Sequence, residues 1–464
     1  MLKTHLILST LVMLLSCNNK MAIDLAKSNQ IIPPPPPYQL LGIHSANYGV
    51  GGVVQFDNPF DATKSSITKH SVDKSDGSRY HVGFSSNGSN APKSMILKVD
   101  SETGVLDTSF ATGGYFNITA GTALASEHDN PWGDSSIIND RYLLITGYQD
   151  VPGGRRGYVK LFDKETEAMV ASFGTGGTVL ISSTDGSRPD TFPSRSMYDQ
   201  QQNAIVVSYY EYGPGSLQRA FLKVIDLSGN DLASFNGGSP LMISHPSIIA
   251  QTGSSTSLIV TPTNYYAVGA QFDVPSTYTQ SYIAKYDKTG LLVNSFGTNG
   301  VKFFTPSTDA TNVSILNSLV DGGGNFFYSS VRSKSGNQFG VIKISKSTGD
   351  IDLGFGTAGL LDFRLLVTTS FGPFASFAIN DLDMTADGKI IISWADEGFP
   401  MVTQIDTNAN LDTSFGTNGS FTFVTPPGTV SAQVWAMNRN LDGTWSFLGG
   451  CNTPLRRYCS WKIE

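Results

Sequence analysis

The sequence is poor in the residues that announce a reaction. Its 464 residues include six histidines and three cysteines, and none falls in an HExxH, CxxC or other paired-ligand spacing. A GxSxG elbow and a Walker loop are missing as well. One SxxK, Ser66 to Lys69, lies in a predicted strand, and so short a match arises readily by chance. No reaction, cofactor or metal is therefore expected from motifs. Basic residues are also thin, 31 Lys and Arg against 38 Asp and Glu for a net charge of -7, and they form no stripe. That pattern excludes nucleic acid as the expected partner. After the first sixteen residues no apolar run nears the length of a membrane-spanning helix.

What the sequence does hold begins at its start. MLKTHLILSTLVMLLSC places Lys3 before an apolar run from Leu6 to Leu15, the layout of an export signal too short to span a bilayer. The ending Leu14-Leu15-Ser16-Cys17 resembles the bacterial lipobox, in which a small residue precedes a Cys that is acylated and becomes the mature N-terminus. The resemblance implies a signal peptide over 1–16, a lipidated Cys17, and an exported protein of the cell envelope held at the outer membrane by its lipid. Residues 17–40 then read as a tether. The five prolines Pro33 to Pro37 favour stiff polyproline II, which spaces a domain from a membrane surface. Everything from 41 to 464 is expected to form one domain. In it Cys451 and Cys459 are candidates for a disulfide across a hairpin, with two unpaired thiols the alternative.

A period of about sixty residues organises that domain. One string recurs as LDTSFATGG, MVASFGTGG, DLASFNGGS, LVNSFGTNG, IDLGFGTAG and LDTSFGTNG, anchored on Phe110, Phe173, Phe235, Phe296, Phe355 and Phe415. The spacings are 63, 62, 61, 59 and 60. Before each copy stands an alternating segment such as ILKVD or LKVID. Before that, a turn such as Asp-Gly leads into a run rich in Val, Ile, Tyr and Phe. Each unit thus predicts strands a, b, c and d, with the SFG string as the c–d turn, its glycines supplying positive φ and its Phe packed between neighbours. Tandem four-stranded units without helical periodicity predict an all-β propeller.

The string and its period resemble the bacterial delta-60 repeat family, whose core is L-D-x-S-F-G-x-x-G, matched throughout by Leu411 to Gly419. The resemblance covers the chain from about residue 41 on. It implies a propeller-like fold and an extracytoplasmic location, and no established activity. Ala111 and Asn236 depart from the core at its first Gly, and Gly354 at its Ser. Counting c strands gives a seventh, CSWKIE, with no SFG turn after it. The missing turn and d strand appear instead as Asn47 to Phe56, NYGVGGVVQF, with Tyr48 in the Phe position. Seven blades follow, the N-terminal strand completing the C-terminal blade as in WD-repeat propellers, whose topology this arrangement resembles. Closure leaves no exposed sheet edge.

Function is sought where the units differ, in the b–c and d–a loops that share one face of a propeller. The candidates for a ligand face are aromatic, Arg, His and acidic side chains: His128, Asp129 and Trp132 before blade 2, and Tyr148 and Arg155 within it. Further round are Tyr210 and Tyr212, Phe272 and Tyr278, Trp394, and Arg456. The expected function is a monomeric binding scaffold that is tied to the membrane by its lipid and presents this face to a protein, glycan or envelope partner. The alternative is a hydrolase, lyase or quinone-dependent propeller enzyme with Glu127, His128, Asp129 and Asp134 at the axial channel. The acid-rich strings around Asp73 and Asp76, and around Asp381, Asp383 and Asp387, read as hairpin turns before they read as calcium loops. The recurring c-strand lysines, Lys98, Lys160, Lys223, Lys285, Lys343 and Lys462, read as half-buried stems with heads on water or turn carboxylates.

Overall fold

A computed structural model describes residues 45–57, 66–73, 75–86, 92–118, 129–130, 135–151, 153–213, 218–243, 253–273, 277–304, 313–321, 324–333, 339–371, 377–396, 399–440, 442–452 and 456–464. Cys17, the proline run, His128 and Trp132 lie outside them, as do Glu127 and Asp134.

Among the described residues thirty strands form seven blades. β1 is Val53–Phe56. Blade 1 is β2 (Ser66–Asp73), β3 (Ser78–Ser86), β4 (Pro92–Asp100) and β5 (Tyr115–Asn117). In blade 2 the inner strand is split into β6 (Asp129–Asn130) and β7 (Ser135–Ile138). Outside it lie β8 (Tyr142–Val151), β9 (Gly154–Asp163), β10 (Ala168–Met169) and β11 (Thr178–Ile181). Blade 3 is β12 (Asp190–Asp199), β13 (Ala204–Tyr212), β14 (Gln218–Asp226) and β15 (Leu241–Met242). Blade 4 is β16 (Gly253–Val260), β17 (Asn264–Asp273), β18 (Thr277–Asp287) and β19 (Val301–Phe304). Blade 5 is β20 (Val313–Asp321), β21 (Phe326–Ser333), β22 (Phe339–Ser345) and β23 (Leu360–Asp362). Blade 6 is β24 (Phe377–Met384), β25 (Ile390–Asp396), β26 (Phe399–Ile405) and β27 (Ser420–Thr422). Blade 7 is β28 (Ser431–Arg439), β29 (Trp445–Asn452) and β30 (Arg456–Ile463), and its fourth strand is β1.

The closing rungs run Val53 to Trp461, Val54 to Ser460, Gln55 to Cys459 and Phe56 to Tyr458. Cys459 stands opposite Gly449, two residues from Cys451, so both cysteines project from one face of the β29–β30 hairpin. Their sulfurs are bonded, with Cα atoms 5.8 Å apart. The bridge ties the strand that holds β1 to its hairpin partner.

The first strand of each blade lies innermost. β2, β7, β12, β16, β20, β24 and β28 neighbour one another in sequence, and β28 returns to β2, so the ring is closed about an axis. The core lies between blades. Each apolar cluster draws on two or more adjacent blades, as where Phe110 of blade 1 meets Phe162 of blade 2, and Phe296 of blade 4 shares a cluster with Phe327 of blade 5. The anchoring rings Tyr48, Phe110, Phe173, Phe235, Phe296, Phe355 and Phe415 are all buried to within 1%. A fully buried ring of this size contributes about 1.5–3 kcal/mol.

The residue after each ring is left-handed in all seven turns. Gly49, Ala111, Gly174, Asn236, Gly297, Gly356 and Gly416 have φ between 45° and 59°. Ala111 and Asn236 thus keep the backbone of the five glycines at this position. In four turns this residue's N–H points at the next blade, donating to Thr103, Ser228, Thr289 or Thr348 carbonyl oxygen at 2.8–2.9 Å. The receiving turn carries a close-packed glycine. A Cβ on Gly104, where φ is 69°, would lie 2.4 Å from Val54 Cγ2 and 2.9 Å from the Tyr48 ring.

Four of the six c-strand lysines bridge to carboxylates, while Lys160 is buried with its ammonium 4.1 Å from the Tyr158 ring centroid. Lys98 reaches Asp107 at 3.2 Å and Glu167 at 2.8 Å. Lys343 reaches Asp352 at 2.9 Å, Lys462 reaches Asp442 at 2.8 Å, and Lys223 pairs with Asp231. Asp107, Asp352 and Asp412 also accept backbone N–H groups of their own SFG turns, at 3.0–3.1 Å. Lys285 differs, donating to the Lys346 carbonyl at 3.1 Å.

Among the described residues one α-helix interrupts the strand pattern. Between β23 and β24 runs a helix, α1 (Phe363–Phe371). Asp362 accepts the Leu365 N–H at 2.9 Å as its N-cap. Phe363 and Val367, one turn apart, are buried in the core.

Gly104→Ala should cost about 1–3 kcal/mol, since it forces both a left-handed Ala and a clash across a blade interface; denaturant unfolding measures it. Removal of residues 456–464 should abolish the single cooperative transition and lower the melting midpoint by about 5 °C or more. An unchanged thermal trace would contradict closure through β1.

Candidate functional site

Because each blade is an antiparallel meander, a–b and c–d turns share one end of the ring, and b–c and d–a connections share the other. On the second end, blades 2 and 3 approach closely. Two glycines permit this: a Cβ on Gly154 would lie 2.7 Å from Asp190 Oδ1, and one on Gly157 would lie 2.7 Å from Pro193 Cδ. Thr191 fixes the seam, its hydroxyl accepting the Gly157 N–H and donating to the Ile181 carbonyl, both at 2.7 Å.

Over this seam lies a row of aromatic rings. Tyr148 of β8 meets Phe192 of β12 edge-on with centroids 5.0 Å apart, and Phe192 stacks on Tyr210 of β13 at 5.2 Å. The exposed Arg155 guanidinium lies 5.6 Å from the Tyr148 ring and 5.9 Å from Phe192. Asp150 holds its Nε at 3.3 Å, and Asp190 accepts its backbone N–H at 2.6 Å. The three rings are half-buried. A guanidinium over aromatic faces beside a partly wet ring row offers both stacking and charge-assisted hydrogen bonding.

A polar frame supports the row on blade 3. Asp185 accepts from Arg188 Nη1 at 2.7 Å and Arg219 Nη1 at 3.3 Å. Hydrogen bonds from Ser187 hold its carboxyl below the usual range. Glu211 is fully buried and accepts the Thr184 N–H at 2.6 Å. Gly213 makes room for Arg188, whose Cγ would lie 2.5 Å from a Cβ there.

The structure thus brings Tyr148, Arg155 and Tyr210 together, with Tyr212 half-buried two residues beyond Tyr210. His128 and Trp132 lie outside the described residues. Trp394 is a correction: it is fully buried rather than displayed, its indole N–H donating to Thr403 Oγ1 at 2.9 Å and its ring meeting Phe363 of α1 edge-on at 6.1 Å. Asp129 pairs with Gln149 on the inner strand rather than lying in a loop. Phe272 opposes Tyr278 across β17 and β18, and Arg456 opposes Asn452, so these too sit on strand ends. Phe192 went unread from sequence. Its signal is an aromatic beside Pro193 near the start of β12, at the end of the blade that carries the b–c loops.

The axis offers a second group of polar side chains. The inner-strand ladder slips between Thr68 and His70, Pro193 and Arg195, Ser255 and Ser257, Ile379 and Asp381, and Val434 and Ala436. A wider slip falls between Ile315 and Leu319, and the gap between β6 and β7 occupies the matching place in blade 2. Bulges of this kind re-aim side chains. Arg195 Nη1 donates to Ser257 Oγ of the next blade at 3.2 Å. Asp381 accepts the Met437 N–H of the next blade at 3.3 Å and the Leu382 N–H at 2.9 Å. Asp383 accepts the Met384 N–H at 2.7 Å.

Asp381 and Asp383 are part-buried. Burial pushes Asp381 up to about 7, a trend that Arg195 opposes and the Asp383 charge reinforces. Burial likewise lifts Asp383 to about 6 against the Met384 N–H and the charges of Arg195 and Arg439. The Asp387 carboxylate, by contrast, is a turn group that accepts from Thr385 Oγ1 at 2.6 Å. Among the described residues no three His, Cys, Asp or Glu side chains converge as metal ligands.

No family model matches the chain, and no curated protein matches it. Among solved structures it is similar to a prolyl endopeptidase at 11% identity and a TM-score of 0.45, over 83% of this chain and 45% of that one. It is also similar to prolyl oligopeptidase B from Galerina marginata bound to a macrocyclization substrate, at 10% identity and a TM-score of 0.47. That match covers 86% of this chain and 52% of the other, so the chain spans about half the length of these proteins.

Both inner carboxyls hold protons in the folded chain at pH values where the unfolded chain has released them. Their contribution to stability is therefore full below about pH 4 and is lost as pH rises through about 6 and about 7. Asp381→Asn should flatten this slope and raise the melting midpoint at pH 8 by roughly 2 °C or more. Parallel pH profiles for wild type and variant would remove the burial argument.

Proposed function

We propose that the chain is an exported lipoprotein whose propeller is a rigid binding scaffold, engaging a protein, glycan or envelope partner through its b–c and d–a face. One observation carries the reading. The Tyr148, Phe192 and Tyr210 rings, with Arg155 above them, form a partly exposed row across two blades, beside a part-buried polar frame on blade 3. Aromatic rings and Arg are the side chains that dominate binding energy at interfaces. The opposite end is made of short turns with their carboxylates already paired to lysines and backbone N–H groups, which leaves less there for a partner to use.

The anchor belongs to the same proposal. A signal over 1–16, a lipidated Cys17 and a proline-stiffened spacer suit a scaffold that must stand off a membrane. The delta-60 resemblance, with its extracytoplasmic setting, supports the location.

Two measurements test this. A photo-crosslinking amino acid at Tyr212 should give a discrete adduct in intact cells, reduced at least about tenfold by Arg155→Ala, the loss expected for one interface hot spot. The same probe at Val105, on the opposite end, should give none. Equal adducts from both ends, or none from either, would sink the binding face. Labelled fatty acid should enter the wild-type chain and not Cys17→Ala, and labelling of the variant would end the anchor proposal.

A further inference from the structure

Blade 7 meets blade 1 at the seam that closes the ring, and the register of the repeats shows how this seam differs from the other six. In every blade the residue just ahead of the Asp, Ser or Glu that closes the third strand pairs with one second-strand residue. In six blades that partner is Leu143, Ile205, Tyr265, Phe327, Ile390 or Trp445, all buried. In blade 1 it is Arg79, which is buried as completely. Two residues further along the same strands stand buried Ile145, Val207, Ala267, Ser329, Ile392 and Phe447, and blade 1 has His81 there. The blade 7 side is altered to match. Tyr48 takes the place of the anchoring Phe, and Ser460 stands where blades 1, 2 and 3 have Ile96, Val159 and Leu222; the Tyr48 and Ser460 hydroxyls lie 2.7 Å apart.

Both basic side chains of β3 point across the seam. The Arg79 guanidinium lies 5.7 Å from the Tyr48 ring centroid. The His81 ring lies 5.3 Å from Tyr458 and 6.3 Å from Phe56, which stack on each other at 5.0 Å and form the last rung between β1 and β30. His81 is fully buried, and neither of its ring nitrogens has a hydrogen-bond partner. Burial and the Arg79 charge hold the imidazole well below its usual range. The other elements at this seam supply few charges. β4 and β29 contribute Met95, Leu97 and Leu448, and β30 contributes the Tyr458 phenol and buried Lys462, whose ammonium is spent on Asp442 at 2.8 Å and Glu102 at 3.9 Å. In the register β2 places Ser71 opposite His81 and Asp73 opposite Arg79.

A neutral imidazole fills this seam as an apolar ring would. An imidazolium would add a second positive charge beside Arg79, out of reach of water and facing two aromatic rings. We propose that the seam between blade 7 and blade 1 is an acid-sensitive latch, in which protonation of His81 frees β1 from blade 1 and opens the ring while the other six seams hold. The sign follows from the unfolded chain taking up the proton first. The stability that neutral His81 permits is full above about pH 6.5 and is lost as pH falls below it, by about tenfold in the closing equilibrium per pH unit. Asp381 and Asp383 change in the opposite direction, so an acid-induced loss at β1 is not theirs. The latch requires neither the lipid anchor nor the loop face.

Amide hydrogen exchange of the full chain, corrected for the intrinsic pH dependence of exchange, tests the proposal. Between about pH 7.5 and about pH 5 the opening constant at Val53–Phe56 should rise at least about tenfold, and that of Ala204–Tyr212 in blade 3 should change less than about twofold. His81→Leu, which restores the apolar pattern of the other blades, should remove the rise at β1. If His81→Leu fails to melt cooperatively, His81→Gln takes its place with the same expectation. The wild-type chain gives an independent readout, because exchange of the His81 ring C2–H, followed by mass spectrometry, should begin only as β1 opens. A pH-independent β1 overturns the proposal, as does blade 3 opening in step with it. So does a folded His81 variant that keeps the wild-type pH dependence, or a C2–H that exchanges while β1 stays protected.

Discussion

Each blade of this ring leans on its neighbour through one turn, in which an aromatic ring fills the interface and the next residue is left-handed, and in four of the seven that residue aims its N–H across it. Ring and residue depend on each other, because the positive φ that frees the N–H also turns the chain so that the aromatic points inward. The receiving glycine completes the contact by its lack of a Cβ. Repetition of that contact fixes the distance between blades, and the distance in turn sets how far apart the inner strands stand and how near the loop ends lie.

Much of this was legible in the sequence because it repeats. The SFG string marks every c–d turn, and the displaced copy at Asn47 to Phe56 identifies β1 as the partner of β30. The receiving glycines Gly104, Gly229, Gly290 and Gly349 recur too, but a single letter in a polar turn says nothing until its neighbour across the interface is known. The same holds for the small residues of the second strands. Gly83, Ser208, Gly269, Ser393 and Gly449 face the inner-strand bulges, and a Cβ on Gly449 would lie 1.7 Å from the Gln433 carbonyl oxygen. Alternation alone does not reveal a bulge.

The sites were less legible because they are made by residues far apart in the chain. Tyr148, Arg155 and Tyr210 stood out as aromatic and Arg residues near loops, but Phe192, which joins the tyrosines, sits in a strand start where an aromatic reads as core. Trp394 went the other way. It lies near a strand end that should be open, and α1 covers it with Phe363. Arg195 and Asp381 belong to blades three places apart, and no local pattern relates them.

The ring closure also sets an order of events for folding. Tyr48, beside β1, bonds Ser460 across a sequence separation of 412 residues, so the contact that seals the ring is among the longest-range the chain makes. Loop-closure entropy makes such contacts slow to form. Strand β1 is made early and must wait unpaired while the other blades assemble, and it finds its edge only after β30 exists. A chain that lacks its last strand has no closed ring, and the Cys451–Cys459 bridge belongs to the hairpin that finally receives β1.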